Sequence, residues 1–369
     1  MTGQLIGLIA SWLMLAAVAG WCLPRRWQLY GISACGIGLL AMVAPVMLLF
    51  LGVAIPASIA VAASARRGAW TPWFVAGIAV IYGGFLILAS WSGMLALGQF
   101  VVPFAMAYAT LRLIHYVVEA ARGTLPRHRW PDAVHYQLFA PVLAVGPINR
   151  FAPFQRQLRE RKWDAQLVSA GLSRILVGAV KIVVLGNYLV SNVLEVRISH
   201  LGPLGEWYGQ QLQFWVSLYV QFSGYTDVAI GVAAVLGFRM PENFNHPYLA
   251  RNIGDFWRRW HITLADWCRD YVYMPVFARR RSAGIATLAS MVTLGLWHQA
   301  SVHYLLWGGY HAAGLTLWRS FQGWTRAWYD RGSIGLQRGW DLLAWLLTIH
   351  FVVMSYTVTT WIERMMAGR

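Results

Sequence analysis

The stretch LYGISACGIGLLAMVAPVMLLFLGVAIPASIAVAASA, residues 29–65, contains no charged residue. A helix that crosses the hydrocarbon core of a bilayer needs about 20 predominantly apolar residues. The stretch is long enough for two such helices, and their connection is expected around Pro45, because proline disrupts a helix interior. These residues therefore predict a helical hairpin inside a membrane.

Six further apolar runs carry at most one charged residue each: 5–23, 73–118, 176–194, 207–238, 287–318 and 342–361. Charged residues make up 12% of the chain, against roughly 25% in soluble domains. The longer runs are expected to form hairpins of two helices. The composition therefore predicts an all-α polytopic membrane protein of roughly nine to eleven transmembrane helices.

The basic residues indicate the orientation of these helices. The net charge is +16, and all basic residues except Lys162 and Lys181 are arginines. They cluster in connections such as 25–26, 66–67 and 122–129, which is typical of cytoplasmic loops and needs no nucleic-acid partner. The uncharged connections around Pro45 and at 90–98 are then expected outside. The first run has no basic residue before it and is expected to remain as a helix after synthesis.

The remaining segments are assigned in chain order. We expect a broken re-entrant or interfacial element at 126–163, an outward helix at 171–194, an external loop at 195–206, an inward segment at 207–238, a cytoplasmic polar stretch at 239–282, a hairpin at 284–318 and a last helix near 340–361. The three cysteines, Cys22, Cys35 and Cys268, have neither metal-ligand nor disulfide-framework spacing.

The polar segment DFWRRWHITLADWCRDY, residues 255–271, repeats apolar residues at helical spacing. It predicts one amphipathic helix with a tryptophan-rich face. Asp255 precedes Arg258 and Arg259, and Asp266 precedes Arg269, at distances that allow ion pairs along a helix. His261 lies on the apolar edge, where spacing alone favours an interfacial histidine bonded to a backbone carbonyl.

His298 lies in the almost charge-free segment TLGLWHQASVHYLLWGGYH. An ionisable side chain inside a membrane usually faces a cavity or a functional site, and histidine can act as a general base near neutral pH. The alternative is a neutral imidazole that bridges two helices. The spacing to His303 and His311 does not place the three rings on one helical face, so no metal site is predicted.

Asp227, in FSGYTDVAIG, needs a partner inside the membrane. A helix–helix hydrogen bond beside the small residues Ser223, Gly224 and Gly231 would satisfy it. A transporter or channel, in which Asp227, Lys181 and His298 relay protons or bind substrate, is a second hypothesis from another functional class. Only one broken element, near 141–147, supports that class.

Five motifs together resemble the bacterial cell-envelope branch of the membrane-bound O-acyltransferase family, which includes alginate O-acetylation proteins and teichoic-acid D-alanyl transferases. They are PFAMAYATLRLIHYVVEAARG (103–123), FAPVLAVGPINRFAPFQRQL (139–158), FSGYTDVAIGVAAVLGFRMPENFNHPY (222–248), DFWRRWHITLADWCRDYVYMPV (255–276) and GLWHQASVHYLLWGGYHAAGL (295–315). Their order and spacing make the resemblance specific over residues 100–320.

The resemblance implies a single integral-membrane domain over 1–369, with N-terminal helices at 1–98, a core at 99–322 and a C-terminal helix at 339–361. A ring of helices would surround a central tunnel, with re-entrant or interfacial helices at its mouth. A small acyl group, acetyl or D-alanyl, would move from a cytoplasmic thioester to a hydroxyl of an extracytoplasmic partner protein or cell-envelope glycan. The donor would be a phosphopantetheine thioester on an acyl-carrier protein or acetyl-CoA, with no tightly bound cofactor, and the location a bacterial cytoplasmic membrane.

The same resemblance assigns residues. His298 would be the catalytic base and His261 a second functional histidine beside the donor. Donor-binding or tunnel-lining positions would be Asn243, Asn245, Trp257, Arg258, Arg259, Trp260, Trp297 and Gln299, and further functional positions Arg150, Asp227 and Arg269. No metal is implied.

Two positions depart from the family pattern. Gln299 replaces the glycine that usually follows the catalytic histidine, and FARRR (277–281) replaces the GGNR of the alginate type. SGYTD and PENFN favour acetyl transfer, whereas GPINRF and GGYHAAGL favour D-alanyl transfer, so both acyl groups remain open. A member that acts mainly as the scaffold of an envelope complex is a third hypothesis.

Overall fold

The computed structural model describes the backbone of residues 3–64, 66–91, 101–143 and 145–366. Within these ranges the elements are helices, and the only β-type pairing is an isolated antiparallel bridge between Phe244 and Trp260. The all-α fold class is therefore confirmed. The chain divides into two compact units, one of residues 1–181 with 224–241 and one of residues 182–223 with 242–369.

The first unit contains α1 (Gly3–Cys22), α2 (Arg25–Val43), α3 (Pro45–Ala63), α4 (Arg67–Trp91), α5 (Val101–Arg122), α6 (Trp130–Gln137), a short 3-10 turn (Ala140–Val142), α7 (Phe151–Glu160) and α8 (Ala165–Val180). The second contains α9 (Glu195–Ile198), most of α10 (Gly202–Val235), a 3-10 turn (Pro247–Leu249), α11 (Ile253–Arg259), α12 (Ile262–Cys268), α13 (Met274–Arg280), α14 (Ala283–His298), α15 (Val302–Arg331) and α16 (Ile334–Met366). Two π-helical segments, Lys181–Leu194 and Arg269–Tyr273, continue α8 and α12.

The opening stretch forms the predicted hairpin. Ala44 leaves the helical conformation, with φ −150° and ψ 62°, and Pro45 begins α3. Proline suits this first helical position because its missing amide hydrogen would have no intrahelical partner there. Side chains such as Asp164, Ser282 and Ser301 cap later helices by accepting hydrogen bonds from backbone amides of the first turn.

Four helices in the described ranges are long and apolar enough to cross a membrane: Pro45–Ala63, Arg67–Ile87, Ala165–Ile198 and Ile334–Met366. This agrees with a multi-pass membrane protein. The number of nine to eleven spanning helices, the ring around a tunnel and the domain boundaries stay predictions. The predicted external connection at 90–98 lies outside the described residues except for its first two positions.

The run 207–238 forms no hairpin of two helices, because α10 is one continuous helix of 34 residues, as a single inward segment requires. Residues 204–235 contain no proline, and glycine inside a helix costs only about 1 kcal/mol. Gly231 also serves packing. A methyl group there would lie 2.6 Å from the carbonyl oxygen of Gly171, so α8 and α10 touch backbone to backbone.

The segment expected as a broken element at 126–163 is indeed interrupted. It consists of α6, the 3-10 turn and α7, joined by irregular chain. An aromatic cluster fixes it, in which Phe154 stacks on Phe238 with ring centroids 5.1 Å apart and contacts Phe139 at 5.1 Å. All three rings are buried. The location of this segment inside or at the surface of the membrane stays a prediction.

Candidate functional site

The predicted amphipathic helix at 255–271 is wrong as a single element. The helix stops at Arg259, His261 takes a left-handed conformation with φ 45° and ψ 51°, and a new helix starts at Ile262. Such a conformation costs a non-glycine residue about 1–2 kcal/mol. It therefore needs support from elsewhere in the chain.

Residues 243–245 supply that support. The amide of Ile262 donates to the carbonyl oxygen of Asn243 at 2.9 Å, and the amide of Asn245 donates to that of Arg259 at 2.9 Å. The Asn243 side-chain oxygen also accepts from the Thr263 hydroxyl at 2.7 Å. Asn243 is fully buried. Two positions predicted to bind the donor thus hold the turn that presents His261.

The break turns the His261 ring into the protein. The ring is 2% exposed and meets Phe222 edge-on at 4.8 Å and Trp297 at 6.0 Å, between centroids. Burial, and secondarily the nearby His298, holds the pKa of His261 well below its usual value. His261 is therefore a buried imidazole that is neutral near neutral pH.

His298 lies beside buried apolar side chains. It is the last residue of α14 and is an exposed residue, whereas Leu294, Trp297 and Trp307 around it are buried. Its ring lies 4.9 Å from Trp297 and is stacked at 5.7 Å on Tyr304, between centroids. Aromatic rings therefore pack against the imidazole and fix its orientation.

Gln299 fits the turn after His298 without requiring glycine. Its φ of −161° is an extended conformation open to any residue, and its amide donates to the carbonyl oxygen of Gly295. The required glycines lie inside the helices. A methyl group on Gly295 would come within 2.2 Å of the Tyr304 carbonyl oxygen, and one on Gly308 within 2.6 Å of that of Met291. This close contact between α14 and α15 fixes the position of the end of α14, where His298 lies.

The tryptophans of the segment extend the aromatic surroundings. Trp257 is buried and meets Trp307 edge-on at 6.0 Å and His311 at 5.3 Å. Trp260 stacks on Phe256 at 5.6 Å. His311, whose spacing argues against a shared metal site with His298 and His303, is fully buried, and neither of its ring nitrogens has a hydrogen-bond partner among the described residues.

The arginine face forms the predicted local ion pairs. Asp255 accepts from Arg259 at 2.8 Å and from Arg258 at 3.3 Å. Arg269 pairs with Asp266 at 2.8 Å and also with Asp270 at 3.0 Å. These pairs are partly exposed and contribute little to stability.

Asp227 and Arg150 lie in the first unit, whereas His261 and His298 lie in the second. Asp227 accepts from Arg174 at 2.9 Å and from Lys181 at 2.6 Å, which confirms that it needs a partner. The Arg150 Nη1 atom lies 3.5 Å from His115 Nδ1.

Sequence reasoning missed Arg112, which is fully buried with its guanidinium carbon 4.5 Å above the Tyr136 ring centre.

The chain is therefore a polytopic helical membrane protein in which the buried imidazole of His261 lies close to His298. The family model of the membrane-bound O-acyltransferase family matches residues 79–357. The chain belongs to this family, and the expected resemblance is confirmed.

Individual relatives belong to the envelope branch. The chain is 30% identical to a probable alginate O-acetylase of Pseudomonas aeruginosa over 71% of its length and 49% of the relative. It is 30% identical to the teichoic acid D-alanyltransferase of Bacillus subtilis over 69% of its length and 67% of the relative. It is 29% identical to a peptidoglycan O-acetyltransferase of Helicobacter pylori over 61% of its length and 43% of the relative. The chain thus spans between 43% and 67% of the length of these relatives.

Proposed function

We propose that this protein is an O-acyltransferase of a bacterial cytoplasmic membrane. It moves an acetyl or D-alanyl group from a cytoplasmic thioester to a hydroxyl on an extracytoplasmic partner protein or cell-envelope glycan. Family membership and the names of the three relatives support the reaction class. The observation that carries the proposal is the exposed residue His298 at the end of an otherwise apolar helix, close to the buried His261.

His298 acts as the general base. Its imidazole takes the proton from the acceptor hydroxyl as the hydroxyl oxygen attacks the thioester carbonyl carbon. The carbon–sulfur bond then breaks, and the leaving thiolate takes the proton back from the imidazolium. The products are an oxygen ester and a free thiol, so the histidine ends the cycle neutral. The aromatic contacts of the ring with Trp297 and Tyr304 hold it in one orientation for both transfers.

His261 contributes a second imidazole on the donor side, which is neutral near neutral pH. A neutral ring does not repel the imidazolium that forms on His298, whereas a second cation nearby would oppose it. Trp257, Trp260 and Trp297 form the apolar surroundings that keep water from the thioester. The remaining positions act through the backbone and side chains that they contact. Asn243 and Asn245 bond to the turn at His261, Gln299 bonds through its amide to the end of α14, and Arg150 lies beside His115.

The donor docks on the basic segment 239–282. Exposed arginines there, Arg258, Arg279, Arg280 and Arg281, attract an acidic acyl-carrier protein or the phosphates of acetyl-CoA. Replacement of 279–281 by glutamine should weaken donor binding and flatten its dependence on salt, both measurable by titration at several ionic strengths. Unchanged affinity and salt dependence would remove this surface from the proposal.

The test of the reaction uses purified full-length protein in nanodiscs with radiolabelled acetyl-CoA or D-alanyl carrier protein and a hydroxyl acceptor. The variant His298→Ala should lose about 10²–10⁴-fold in transfer rate, the usual contribution of general base catalysis. The exposed His200 provides the matched control His200→Ala, with an unchanged rate. Full transfer by a folded His298→Ala protein would contradict the proposal. Solute flux in liposomes without transfer would favour the transporter hypothesis.

A further inference from the structure

A buried arginine in the core of the first unit forms no ion pair with any carboxylate that the structure describes. Arg112, on α5, is fully buried, and none of its three guanidinium nitrogens has a hydrogen-bond partner among the described residues. The guanidinium carbon lies 4.5 Å from the ring centre of Tyr136, a neutral side chain. Arginine stays protonated in proteins, and burial of an unpaired charge is strongly unfavourable. Arg112 therefore needs a partner of another kind.

Neighbouring residues of the same unit add further buried polar atoms. The Tyr136 hydroxyl donates to the carbonyl oxygen of Asn149 at 2.7 Å, which brings Asn149 beside the contact between Arg112 and Tyr136. The side-chain nitrogen and oxygen of Asn149 and the side-chain oxygen of Gln137 are buried without a hydrogen-bond partner in the described chain. Buried polar groups are nearly always hydrogen-bonded. Several such atoms in one region therefore indicate a site for a bound species.

His115, three residues after Arg112 on α5, presents another hydrogen-bond donor. The backbone amide of Phe151 donates to His115 Nε2 at 2.9 Å, so in the neutral ring the hydrogen lies on Nδ1. The Arg150 Nη1 atom is 3.5 Å from this Nδ1. Both atoms are then donors and do not satisfy each other, whereas one acceptor beside them would bond to both.

We propose that a small monovalent anion of the halide type, such as chloride, binds in this donor cluster, formed by Arg112, His115, Asn149 and Arg150. The donors and the positive charge require an acceptor that carries a negative charge. Arg112, Tyr136 and Asn149 are at most 3% exposed, which favours a small ion over a large polyatomic ligand. The anion joins α5 to the segment 146–151 and stabilises the first unit. This role goes beyond the proposed function, because it involves neither acyl donor nor acceptor.

The dependence of stability on chloride tests the site without any measurement of transfer. The full-length protein in phosphatidylcholine nanodiscs is unfolded by heat while chloride replaces gluconate, a much larger anion, at constant ionic strength. A ligand that binds only the folded state raises the unfolding temperature as its concentration increases. We expect a rise of at least about 2 °C between about 1 and 200 mM chloride, and a similar rise with bromide. The same unfolding temperature in all three anions would overturn the proposal, since water would then satisfy the cluster.

Variants assign the effect to the cluster. Arg112→Gln removes the buried charge and should abolish the response to chloride, whereas Arg66→Gln, at an exposed arginine of the same unit, should keep it. Asn149→Asp tests the site even if Arg112→Gln does not fold. Its carboxylate pairs with the guanidinium in place of the anion, so it should unfold at a higher temperature than the wild type in gluconate and should not respond to chloride. A wild-type response in Asn149→Asp, or in folded Arg112→Gln, would contradict the proposal.

Anomalous scattering locates the ion directly. Crystals of the full-length protein grown in bromide should show an anomalous peak beside the guanidinium of Arg112. Bromide peaks confined to exposed arginines would overturn the site.

Discussion

Two polar clusters among the apolar helices differ in how they are neutralised. Around Asp227, two cations converge on one carboxylate, with Arg174 at 2.9 Å and Lys181 at 2.6 Å. Around His298 the neighbours are aromatic rings, and no described carboxylate forms an ion pair with it. In the first arrangement the carboxylate oxygens of Asp227 are bonded to side chains of the protein itself. The second leaves an imidazole exposed and available to a substrate, which is why we assign chemistry to it.

The largest stability effect is expected in the charged cluster. The Asp227→Asn variant removes the carboxylate and leaves Arg174 and Lys181 without it. Removal of one partner of a buried ion pair costs about 3–5 kcal/mol, and the partial exposure of both cations places this case at about 3 kcal/mol or less. Thermal unfolding in nanodiscs, followed by tryptophan fluorescence, measures the loss.

A matched variant sharpens this prediction. Lys181→Met leaves the pair between Arg174 and Asp227 in place, so it should cost clearly less than Asp227→Asn. If both variants unfold at the wild-type temperature, Asp227 is not held by these pairs in the folded protein. A relay role for Asp227 would then regain weight against the structural role.

A smaller effect concerns the pH dependence of stability at His261. Burial lowers the pKa of His261 in the folded protein, whereas the unfolded chain has the usual value near 6.5. Below about pH 6.5 the unfolded state therefore binds a proton that the folded state does not bind. Stability falls as pH decreases toward the folded pKa, by at most about 1.4 kcal/mol per pH unit, and His261 has no effect above about pH 7.5.

The control for this pH effect is His261→Asn. Asparagine tolerates the left-handed conformation better than most residues and does not titrate. Unfolding at pH 7.5 and 5.5 should therefore show a smaller loss of stability in the variant than in the wild type. Equal losses would mean that the His261 ring is protonated in the folded protein.

Local features of the site could be predicted from the sequence, and features that depend on distant segments could not. The hairpin at 29–65 and the ion pairs of Asp255 and Asp266 depend on neighbouring residues, and both are confirmed. The break at His261 depends on hydrogen bonds from residues 243–245, which helical spacing cannot show. Apolar residues do recur at helical spacing in 255–271, but the hydrogen bonds from residues 243–245 interrupt the helix at His261.

The continuity of α10 teaches the same lesson about glycine. The sequence indicates Gly224 and Gly231 only as small residues beside Asp227 that allow contact between helices. Their use became visible only with α8 in place: a methyl group on Gly178 would lie 2.6 Å from the carbonyl oxygen of Gly224. The family motifs, in contrast, indicated the membership directly, because their order survives even where secondary structure is misassigned.

Chemical modification of histidines tests the central claim most directly, because it compares the accessible and the buried imidazole in one experiment. Wild-type protein is treated with diethyl pyrocarbonate, and modified peptides and acyl transfer are followed together over time. We predict that His298 is modified while His261 stays protected, that transfer is lost at the rate of His298 modification, and that a bound non-hydrolysable thioester slows both. Full transfer by protein whose His298 is modified would contradict the account.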